Sequence, residues 1–454
     1  MTDLDRRKAL IARRVAEATG APAGAATRLS RKIVRRADQD WAELTDQQLV
    51  SWRHHRSHPE STINNLGLRF TFGAPVDVDG LFAAVQGFCL RHELFRTTYE
   101  LVGRRPMQRV HEQLPPQCSV DRLDRRSAIE AQVGDHMARP FDLACEGPLR
   151  VVAFDLAGSC QDGLLIVHHI VWDATTFDRL TEDLDALYHD RDLELVPDPV
   201  QYADFAQWYR ARTGEDGREL DFWLQRLTPL PKLPLRGPDM SLPRTERGER
   251  LDRGLTPRSV RGLNNLARRG GSTRFVAFST CLGLAVSEQF AVSDVCIGTL
   301  ASMRERPELR SIVGDFSTML PLRFPVTGGP IDELVRRVDL EFRNALDHSE
   351  IHFDTISSAI AGAGDAIRPA VCDVLVVFIE GDLPGPTFGS DKTRWTRVPN
   401  GNVQFPIVPL GIEVFLRTEC PEIQFTYSTE IISTDRVSEL ADRIERYLEE
   451  AGAP

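Results

Sequence analysis

Two hydrophobic patterns alternate along the first half of the chain. Residues 66–72 carry Leu or Phe at every second position between small or polar residues, which predicts a half-buried strand. After the Asp79-Gly80 turn, hydrophobic residues recur every three to four positions, which predicts a helix packed on that strand. The fully apolar run 164–167 predicts a second, buried strand. Strands and packed helices therefore alternate, as in mixed α/β folds.

The helix predicted after the second strand has a defined start and a defined inward face. Thr175 or Thr176 stands where a side-chain oxygen can accept a hydrogen bond from the first backbone N–H groups, so we expect one of them to be the N-cap. The inward face is Phe177, Leu180, Leu184 and Leu187. Their spacing places all four on one side of the helix.

A proline-rich passage, residues 227–243, divides the chain. Its prolines lack the N–H donors that a regular helix or a central strand needs, so we predict an irregular crossover between two lobes there. Beyond it, hydrophobic spacing predicts helices near 258–290, 331–346 and 435–449, and apolar runs occur at 371–379 and 411–416. The predicted fold is α/β with mixed sheets, in an N-terminal lobe of residues 44–226 and a C-terminal lobe of residues 227–454.

Length and composition fit two such lobes and narrow the classes of partner. At 454 residues the chain is longer than one typical core, and 42% hydrophobic with 27% charged residues is ordinary for a globular protein. A net charge of -11 and a pI near 5.6 argue against nucleic acid as the main partner. Apolar runs such as VLVVFI are far shorter than the about 20 residues that cross a bilayer, so no membrane partner is expected.

Two further features bear on location and docking. The eight cysteines are scattered without a CxxC pair and the chain opens without an export signal, so we expect a cytoplasmic protein with reduced thiols. Residues 1–43 form an N-terminal extension with ten basic and six acidic residues. Either this extension is a solvated or partly disordered segment with a helix at 4–18, or it docks an acidic partner.

The main candidate for chemistry is GLLIVHHIVWDATTFD, residues 163–178. His168 and His169 follow an apolar strand, at the rim of a sheet where reacting groups commonly lie, and Asp173 follows in the next loop. A neutral imidazole can accept a proton or a hydrogen bond near pH 7. Taken alone, an adjacent histidine pair is more often a core or surface feature than a catalytic one.

The other histidines fit catalysis or metal binding poorly. Those of WRHHRSHPE, residues 52–60, have no strand before them and are predicted to lie in a solvated loop. RHELFR places Arg96 where the zinc-binding HExxH pattern needs its second histidine. His348 and His352 have the i, i+4 spacing of a zinc site on a helix, but no third ligand is near in sequence, which favours a packing role. No metal is expected.

Motifs of phosphate binding and of serine hydrolases are missing from the sequence, which has neither GxxxxGK[ST] nor GxSxG. RRGGST, residues 268–273, is similar to the attachment site of phosphopantetheine in carrier proteins but lacks the preceding acidic residue. Ser272 or Thr273 is instead predicted to cap the helix that follows.

Seven stretches occur in the order found in one protein family. They are LTDQQLVSW (44–52), RHELFRTTY (91–99), HHIVWDA (168–174), QYADFAQW (201–208), IGTLASMRERPEL (297–309), IVGDFSTMLPLR (312–323) and HSEIHFDTI (348–356). Over about residues 44–450 the sequence resembles the condensation domains of nonribosomal peptide synthetases, which belong to the chloramphenicol acetyltransferase-like superfamily. The order of all seven makes the resemblance specific, whereas HHxxxD alone is not.

The resemblance implies a fold and a site. It implies two chloramphenicol acetyltransferase-like lobes arranged in a V, with the active site at their junction and a tunnel from each face for a phosphopantetheine arm. Carried over by position, His169 would meet the acceptor nucleophile and His168 would support it. Asp173 would be structural and paired with Arg304, consistent with the need of a buried carboxylate for a cationic partner.

Some positions depart from the family pattern or border the implied site. Ala174 stands where the motif normally ends in glycine, which would cost about 1 kcal/mol if the turn required a positive φ. Trp172 is bulky for its position and is interpreted as a packing anchor. GDFSTM, which contains Ser317, replaces the commoner FVNT pattern. Together with Arg96, these three residues are candidates for the substrate channel or the lobe junction.

The resemblance implies a condensation enzyme of nonribosomal peptide or hybrid natural-product biosynthesis. An acyl or aminoacyl thioester on a carrier protein would pass to an amine or hydroxyl acceptor, itself small or carrier-tethered, to give an amide or an ester. We expect no bound cofactor, a substrate tethered through phosphopantetheine, and a free-standing enzyme that meets acyl or peptidyl carrier proteins in trans. Two alternatives stay open: a lipid or polyketide O-acyltransferase of the same superfamily, and a catalytically silent recruitment domain.

Overall fold

The computed structural model describes residues 32–37, 41–190, 199–212, 217–230, 233–235, 248–304, 306–326, 328–361, 371–381, 385–390, 392–398 and 408–452. The helix predicted at 4–18 and most of the proline-rich passage lie outside these residues. Within the described ranges, no helix is both long enough and apolar enough to cross a membrane.

The elements follow one another as mixed strands and helices. In the first half they are β1 (Trp41–Glu43), α1 (Asp46–Ser57), β2 (Asn65–Thr71), α2 (Val78–Arg91), β3 (Thr97–Val102), β4 (Arg105–Val110), β5 (Gln117–Leu123), α3 (Ile129–Met137), β6 (Leu149–Leu156), β7 (Ser159–His168), α4 (Ala174–His189) and α5 (Tyr202–Arg212). In the second half they are α6 (Gly217–Leu227), β8 (Glu249–Gly254), α7 (Pro257–Gly270), α8 (Arg274–Phe290), β9 (Asp294–Ser302), β10 (Ser317–Pro325), α9 (Ile331–Asp347), α10 (Phe353–Ala361), β11 (Val374–Glu380), β12 (Arg394–Val398), β13 (Leu410–Leu416), β14 (Glu422–Tyr427) and α11 (Thr434–Ala451). Short 3-10 turns lie at Glu93–Arg96, Arg126–Ala128, His169–Val171 and Pro307–Leu309.

The first lobe is built on a five-stranded sheet in the order β12-β2-β7-β6-β5. Neighbouring strands are antiparallel except for β5 and β6. The central strand β7 is buried from Asp162 to His168, which explains its continuous apolar run. Helices α2 and α4 pack on each other and contribute Phe88 and Phe177 to the core that also contains Phe70 of β2. Both strands predicted in this half, and the inward face of α4, are confirmed.

The second lobe is built on a six-stranded sheet in the order β10-β9-β11-β13-β14-β8. Strand β11 runs parallel to both of its neighbours, and the remaining pairs are antiparallel. The apolar runs at 371–379 and 411–416 fall on strands β11 and β13, and the predicted helices near 331–346 and 435–449 are confirmed. Helices α7, α8 and α11 pack against one another beside the sheet.

Two predicted helix limits are corrected. The helix expected near 258–290 is two helices, because Gly271 adopts a left-handed conformation, with φ of 65°, that ends α7. Thr273 then caps α8, as expected for this residue, by accepting a hydrogen bond from a backbone N–H. The Asp79-Gly80 pair lies inside the first turn of α2 and not before it, because Asp77 caps that helix.

Two segments from the second half of the chain reach into the first lobe. Strand β12 joins the first sheet at its edge, where Trp395 lies opposite Phe70. The segment between β9 and β10 buries Leu309, Ile312, Val313 and Phe316 in the core of the first lobe. These crossings bring residues from both halves around the end of β7. The division of the chain into lobes at residue 227 stays a prediction.

The described end of the predicted N-terminal extension packs on the first lobe. Ile33 is 1% exposed and belongs to the first core. The Arg36 guanidinium is buried and pairs with Asp204 at 2.9 Å and with Glu93 at 3.1 Å. Arg35 forms a second pair of contacts with the same two carboxylates. The two buried carboxylates thus have arginine partners from this segment, as buried charges need.

Candidate active site

The histidine pair lies where β7 leaves the first sheet. Strand β7 pairs with β2 until His168, whose partner is Asn65. The chain then turns into a short 3-10 helix that begins at His169, and the His169 N–H donates to the Asn64 carbonyl at 2.8 Å. Because one histidine ends the strand and the next begins the turn, the two imidazoles enter different environments.

The His168 ring is part of the core. It is 3% exposed and makes edge contacts with the rings of Phe141 and His55, at centroid distances of 5.7 and 6.2 Å. Its Nδ1 accepts a hydrogen bond from the Ile170 N–H at 3.1 Å, which places the proton of the neutral ring on Nε2. Burial, with the neighbouring His55 and His169, holds the pKa of His168 well below its usual range. His168 is therefore a neutral ring that fixes the turn.

The His169 ring faces outward from this turn. Its side chain is 42% exposed, so a substrate can reach it. Its Nδ1 lies 3.7 Å from Oδ2 of Asp315, a residue that the β9–β10 segment brings from the second half of the chain. The imidazole thus has Nδ1 toward a carboxylate and Nε2 on the opposite side of the ring.

Asp173 and Arg304 form the ion pair that the resemblance implies. The Arg304 Nη2 lies 2.9 Å and its Nε 3.1 Å from the Asp173 carboxylate, and both side chains are less than a tenth exposed. Asp173 also caps α4, since it accepts the Thr176 N–H at 2.8 Å. The predicted cap at Thr175 or Thr176 is therefore wrong, because the carboxylate three residues ahead of Thr176 already satisfies that donor.

Arg304 reaches the first half of the chain through Asp173 and also braces its own segment. Besides Asp173, it donates to the backbone carbonyls of Leu309 at 2.6 Å and of Gly314 at 3.0 Å, and to that of Ile312. Its guanidinium also stacks 4.0 Å from the ring centroid of Phe316. Arg304 therefore holds the β9–β10 segment in shape while it neutralises Asp173.

The turn that presents Asp315 requires glycine before it. Gly314 has φ of 145°, and a Cβ there would lie 2.1 Å from the Tyr202 ring. Its N–H donates to the Thr176 hydroxyl at 2.8 Å. The Tyr202 hydroxyl donates to the Asp315 carbonyl at 2.5 Å. Helices α4 and α5 thereby hold the backbone on both sides of the Asp315 side chain.

Asp315 is a buried carboxyl group that sequence analysis did not select. It is 5% exposed, and the Ser317 N–H, at 3.0 Å, and the Ser317 hydroxyl both donate to its Oδ1. Burial raises the pKa of Asp315 to about 6, against the opposing influence of His169 and of the Ser317 donors. The available signal was the departure GDFSTM, in which this aspartate precedes Phe316. Its distance from His169 is set by the fold and cannot be read from a separation of over a hundred residues.

Three other candidates lie near the histidine pair or its partner Asp315. Ala174 is the first residue of α4 and is not among the positive-φ residues, so alanine meets no backbone penalty there. Trp172 is partly buried and makes an edge contact with Phe177 at 6.0 Å between centroids. Ser317 acts on the site through Asp315 and so belongs to the same cluster.

Arg96 has its contacts elsewhere in the first lobe. Its guanidinium donates to the backbone carbonyl of His111 and lies 3.6 Å from the Glu93 carboxylate. Burial lowers the pKa of Arg96. These contacts brace the turn after α2 and include none of the residues around His169.

The sequence WRHHRSHPE is helical where a loop was predicted. His54 and His55 lie in α1, which Thr45 starts with a side-chain cap, and only His58 follows the helix end. The prediction of a solvated loop is wrong for His55, because its half-buried ring contacts His168. A polar sequence without a preceding strand gave no indication of this tertiary contact.

The second histidine pair, His348 and His352, does not form a joint site. His348 ends α9, stacks on Phe222 and contacts Glu219 through Nδ1 at 2.5 Å. His352 is 6% exposed and accepts the Asp354 N–H at 3.2 Å. Across the described ranges, no group of three or more His, Cys, Asp or Glu side chains is placed to hold a metal ion.

The comparison with protein families agrees with the order of the motifs. The model of the condensation domain matches residues 38–453. The chain belongs to the condensation-domain family. This confirms the resemblance stated from the sequence, over nearly the full length of the chain.

Relatives of this condensation-domain chain include large peptide synthetases. It is 29% identical over 341 residues to phosphinothricin tripeptide synthetase PhsC of Streptomyces viridochromogenes. The matched region covers 71% of this chain and 31% of the synthetase. The chain spans no more than about a third of the length of the curated relatives it matches.

Solved condensation-type structures share the two-lobe fold. The X-domain from teicoplanin biosynthesis superposes with a TM-score of 0.80 at 23% identity, over 93% of this chain and 97% of the X-domain. The condensation domain of the Monacolin K polyketide synthase MokA gives a TM-score of 0.76 at 18% identity, over 91% and 97%. The predicted fold class, mixed α/β in two lobes, is confirmed.

Proposed function

We propose that this condensation-domain chain moves an acyl or aminoacyl group from a carrier-bound thioester to an amine or hydroxyl acceptor, forming an amide or an ester. The observation that carries the proposal is the environment of His169, which is 42% exposed and lies 3.7 Å from a buried carboxylate. A reachable imidazole with one nitrogen facing a carboxylate suits contact with a nucleophile. The fully buried His168 does not.

The reaction needs few protein groups, because a thioester is already activated. The acceptor N–H or O–H donates to Nε2 of His169, and the lone pair of the acceptor nitrogen or oxygen attacks the thioester carbonyl carbon. The proton passes to the imidazole as the tetrahedral intermediate forms. The C–S bond then breaks, and the leaving thiolate takes the proton. Holding two tethered reactants in line supplies much of the rate.

The other predicted residues have supporting parts in this proposal. His168 fixes the turn from which His169 projects. Asp173, neutralised by Arg304, keeps the start of α4 against the β9–β10 segment. The donor is an acyl or peptidyl carrier protein, the phosphopantetheine arm is part of the substrate, and the acceptor is small or carrier-tethered.

The test of this proposal is a product assay with His169→Ala. We expect the full chain to convert a carrier-bound acyl thioester and an amine or alcohol into an amide or ester, detected by mass spectrometry. His169→Ala should lower the yield about 100-fold or more while the circular dichroism spectrum is unchanged. His189→Ala, which alters an exposed ring in the last turn of α4, is the matched control. Equal yields from His169→Ala and the wild type would exclude the proposed role.

A recruitment domain is the second candidate, because the similarity to the teicoplanin X-domain reaches a TM-score of 0.80. A solved structure contains the X-domain from teicoplanin biosynthesis in complex with OxyB. A recruitment role predicts binding of a partner enzyme that His169→Ala leaves intact, and no product from any pair of acyl donor and acceptor. Product formation that depends on His169 decides for the transferase.

A further inference from the structure

We propose that Asp315 is the positioning residue of His169: its carboxylate holds the imidazole in the tautomer with the proton on Nδ1 and stabilises the imidazolium formed during transfer. This inference deepens the proposed function and rests on it. Asp315 is not expected to touch the substrate, since it lies on the Nδ1 side of the ring and is 5% exposed.

The first argument is the way in which the Asp315 carboxylate is held. Ser317 donates to Oδ1 through both its N–H and its hydroxyl, while Oδ2 is the oxygen that faces His169. The backbone on either side is fixed by Tyr202 and by Arg304. A separation of 3.7 Å is long for a hydrogen bond, and such bonds commonly tighten when the substrate is bound.

The second argument is the charge of the surrounding groups. The titratable and charged groups packed around the pair are His168 at the end of β7, His55 of α1 behind it, Tyr202 of α5, and Asp173 of α4 with its partner Arg304. Burial keeps His168 neutral and raises the pKa of Tyr202, so neither carries charge near neutral pH. Asp173 is neutralised by Arg304. Asp315 is then the carboxylate available to His169 within the described residues.

The third argument is the protonation state of Asp315 itself. Burial raises its pKa to about 6, which leaves the group ionised at neutral and weakly basic pH. An ionised carboxylate accepts the Nδ1–H of the neutral ring and gains strength when the ring becomes an imidazolium. The substrate-facing Nε2 keeps its lone pair for the acceptor proton.

The test compares pH–rate profiles of the full chain and its variants, in the product assay of the proposed function. Asp315→Asn should lower kcat about 10-fold or more with little change in the acceptor KM. The acid limb of the wild-type profile, which we expect near pH 6 where Asp315 ionises, should shift from that position in this variant, because the amide has no proton to lose. Asp315→Glu keeps the charge and should restore the position of the limb. Asp294→Asn, which removes a carboxylate paired with Arg323 in the second lobe, should leave the profile unchanged.

A second measurement does not depend on any Asp315 variant being folded. In the wild-type chain with nitrogen-15 histidine, we expect the neutral His169 ring to carry its proton on Nδ1, with the resonance assigned by its loss in His169→Ala. An Nε2–H tautomer, or an Asp315→Asn profile with an unshifted acid limb, overturns the positioning role. Full activity of His169→Ala would instead refute the proposed function, so the two failures are distinguishable.

Discussion

At the scale of single residues, adjacent side chains of the same type have opposite environments. His168 is 3% exposed and accepts a backbone N–H, whereas the His169 side chain is 42% exposed and faces a carboxylate. The motif identifies both positions, and the resemblance assigns them different roles. The partner Asp315 could not be predicted, because nothing in the local sequence states that a residue almost 150 positions away packs against the turn.

The pair of Asp173 and Arg304 leads to a prediction of stability. Arg304→Ala leaves the buried Asp173 carboxylate without its cation and removes one donor from each of three backbone carbonyls. We expect the free energy of unfolding to fall by about 3 to 5 kcal/mol, measured by denaturant titration. Arg105→Ala, which breaks the exposed pair with Glu43, should cost about 0 to 1 kcal/mol. Similar losses in both variants would contradict a structural role for the buried pair.

At the scale of elements, helix limits were predicted less well than helix faces. The inward residues of α4 follow from spacing alone and are buried, including Leu180 and Leu184. Its first residue depends on which of several polar side chains reaches the free N–H groups, and Asp173 takes that place. The helix predicted near 258–290 missed the end at Gly271, which adopts a left-handed conformation, although a helix start at Ser272 or Thr273 was expected.

The start of α4 allows a comparison of two neighbouring threonines. Thr176 is buried, and its hydroxyl accepts the Gly314 N–H and donates to Asp173, whereas the partly buried Thr175 is not the cap. Thr176→Ala should lower the free energy of unfolding by about 1 to 3 kcal/mol, because the buried Gly314 donor loses its acceptor. Thr175→Ala should change it by less than about 0.5 kcal/mol. Thermal unfolding of both variants decides the assignment, and a larger loss for Thr175→Ala would reverse it.

At the scale of the whole molecule, the second half of the chain contributes two segments to the first lobe. Strand β12 completes the first sheet, and the β9–β10 segment fills part of the first core. An assignment of lobes from sequence order alone places both segments in the second lobe. Their placement explains how His169 from the first half and Asp315 from the second come within 3.7 Å.

The placement of these two segments predicts that the stability of the first lobe depends on residues from the second half of the chain. Phe316 is fully buried, and Phe316→Ala should cost about 3 to 5 kcal/mol. Because Phe316 packs in the core of the first lobe, amide hydrogen exchange in β7 should also be faster in this variant, although β7 lies in the other half of the chain. Leu340→Ala, at a side chain 57% exposed on α9, should leave exchange in β7 unchanged. Unchanged exchange in β7 of Phe316→Ala would show that the segment is not coupled to the first core.

The sequence by itself determined the main strands and helices around the histidine motif, the mixed α/β class, the family and the motif itself. These features depend on local hydrophobic periodicity and on residues close together in the chain. Patterns of that kind are visible in the amino-acid sequence. Tertiary structure alone decided that His55 contacts His168, that Asp315 faces His169, and that Arg304 joins Asp173 to the carbonyls of a distant turn. Such contacts follow from how buried surfaces fit together across the two lobes, and packing of that kind has no counterpart in sequence spacing.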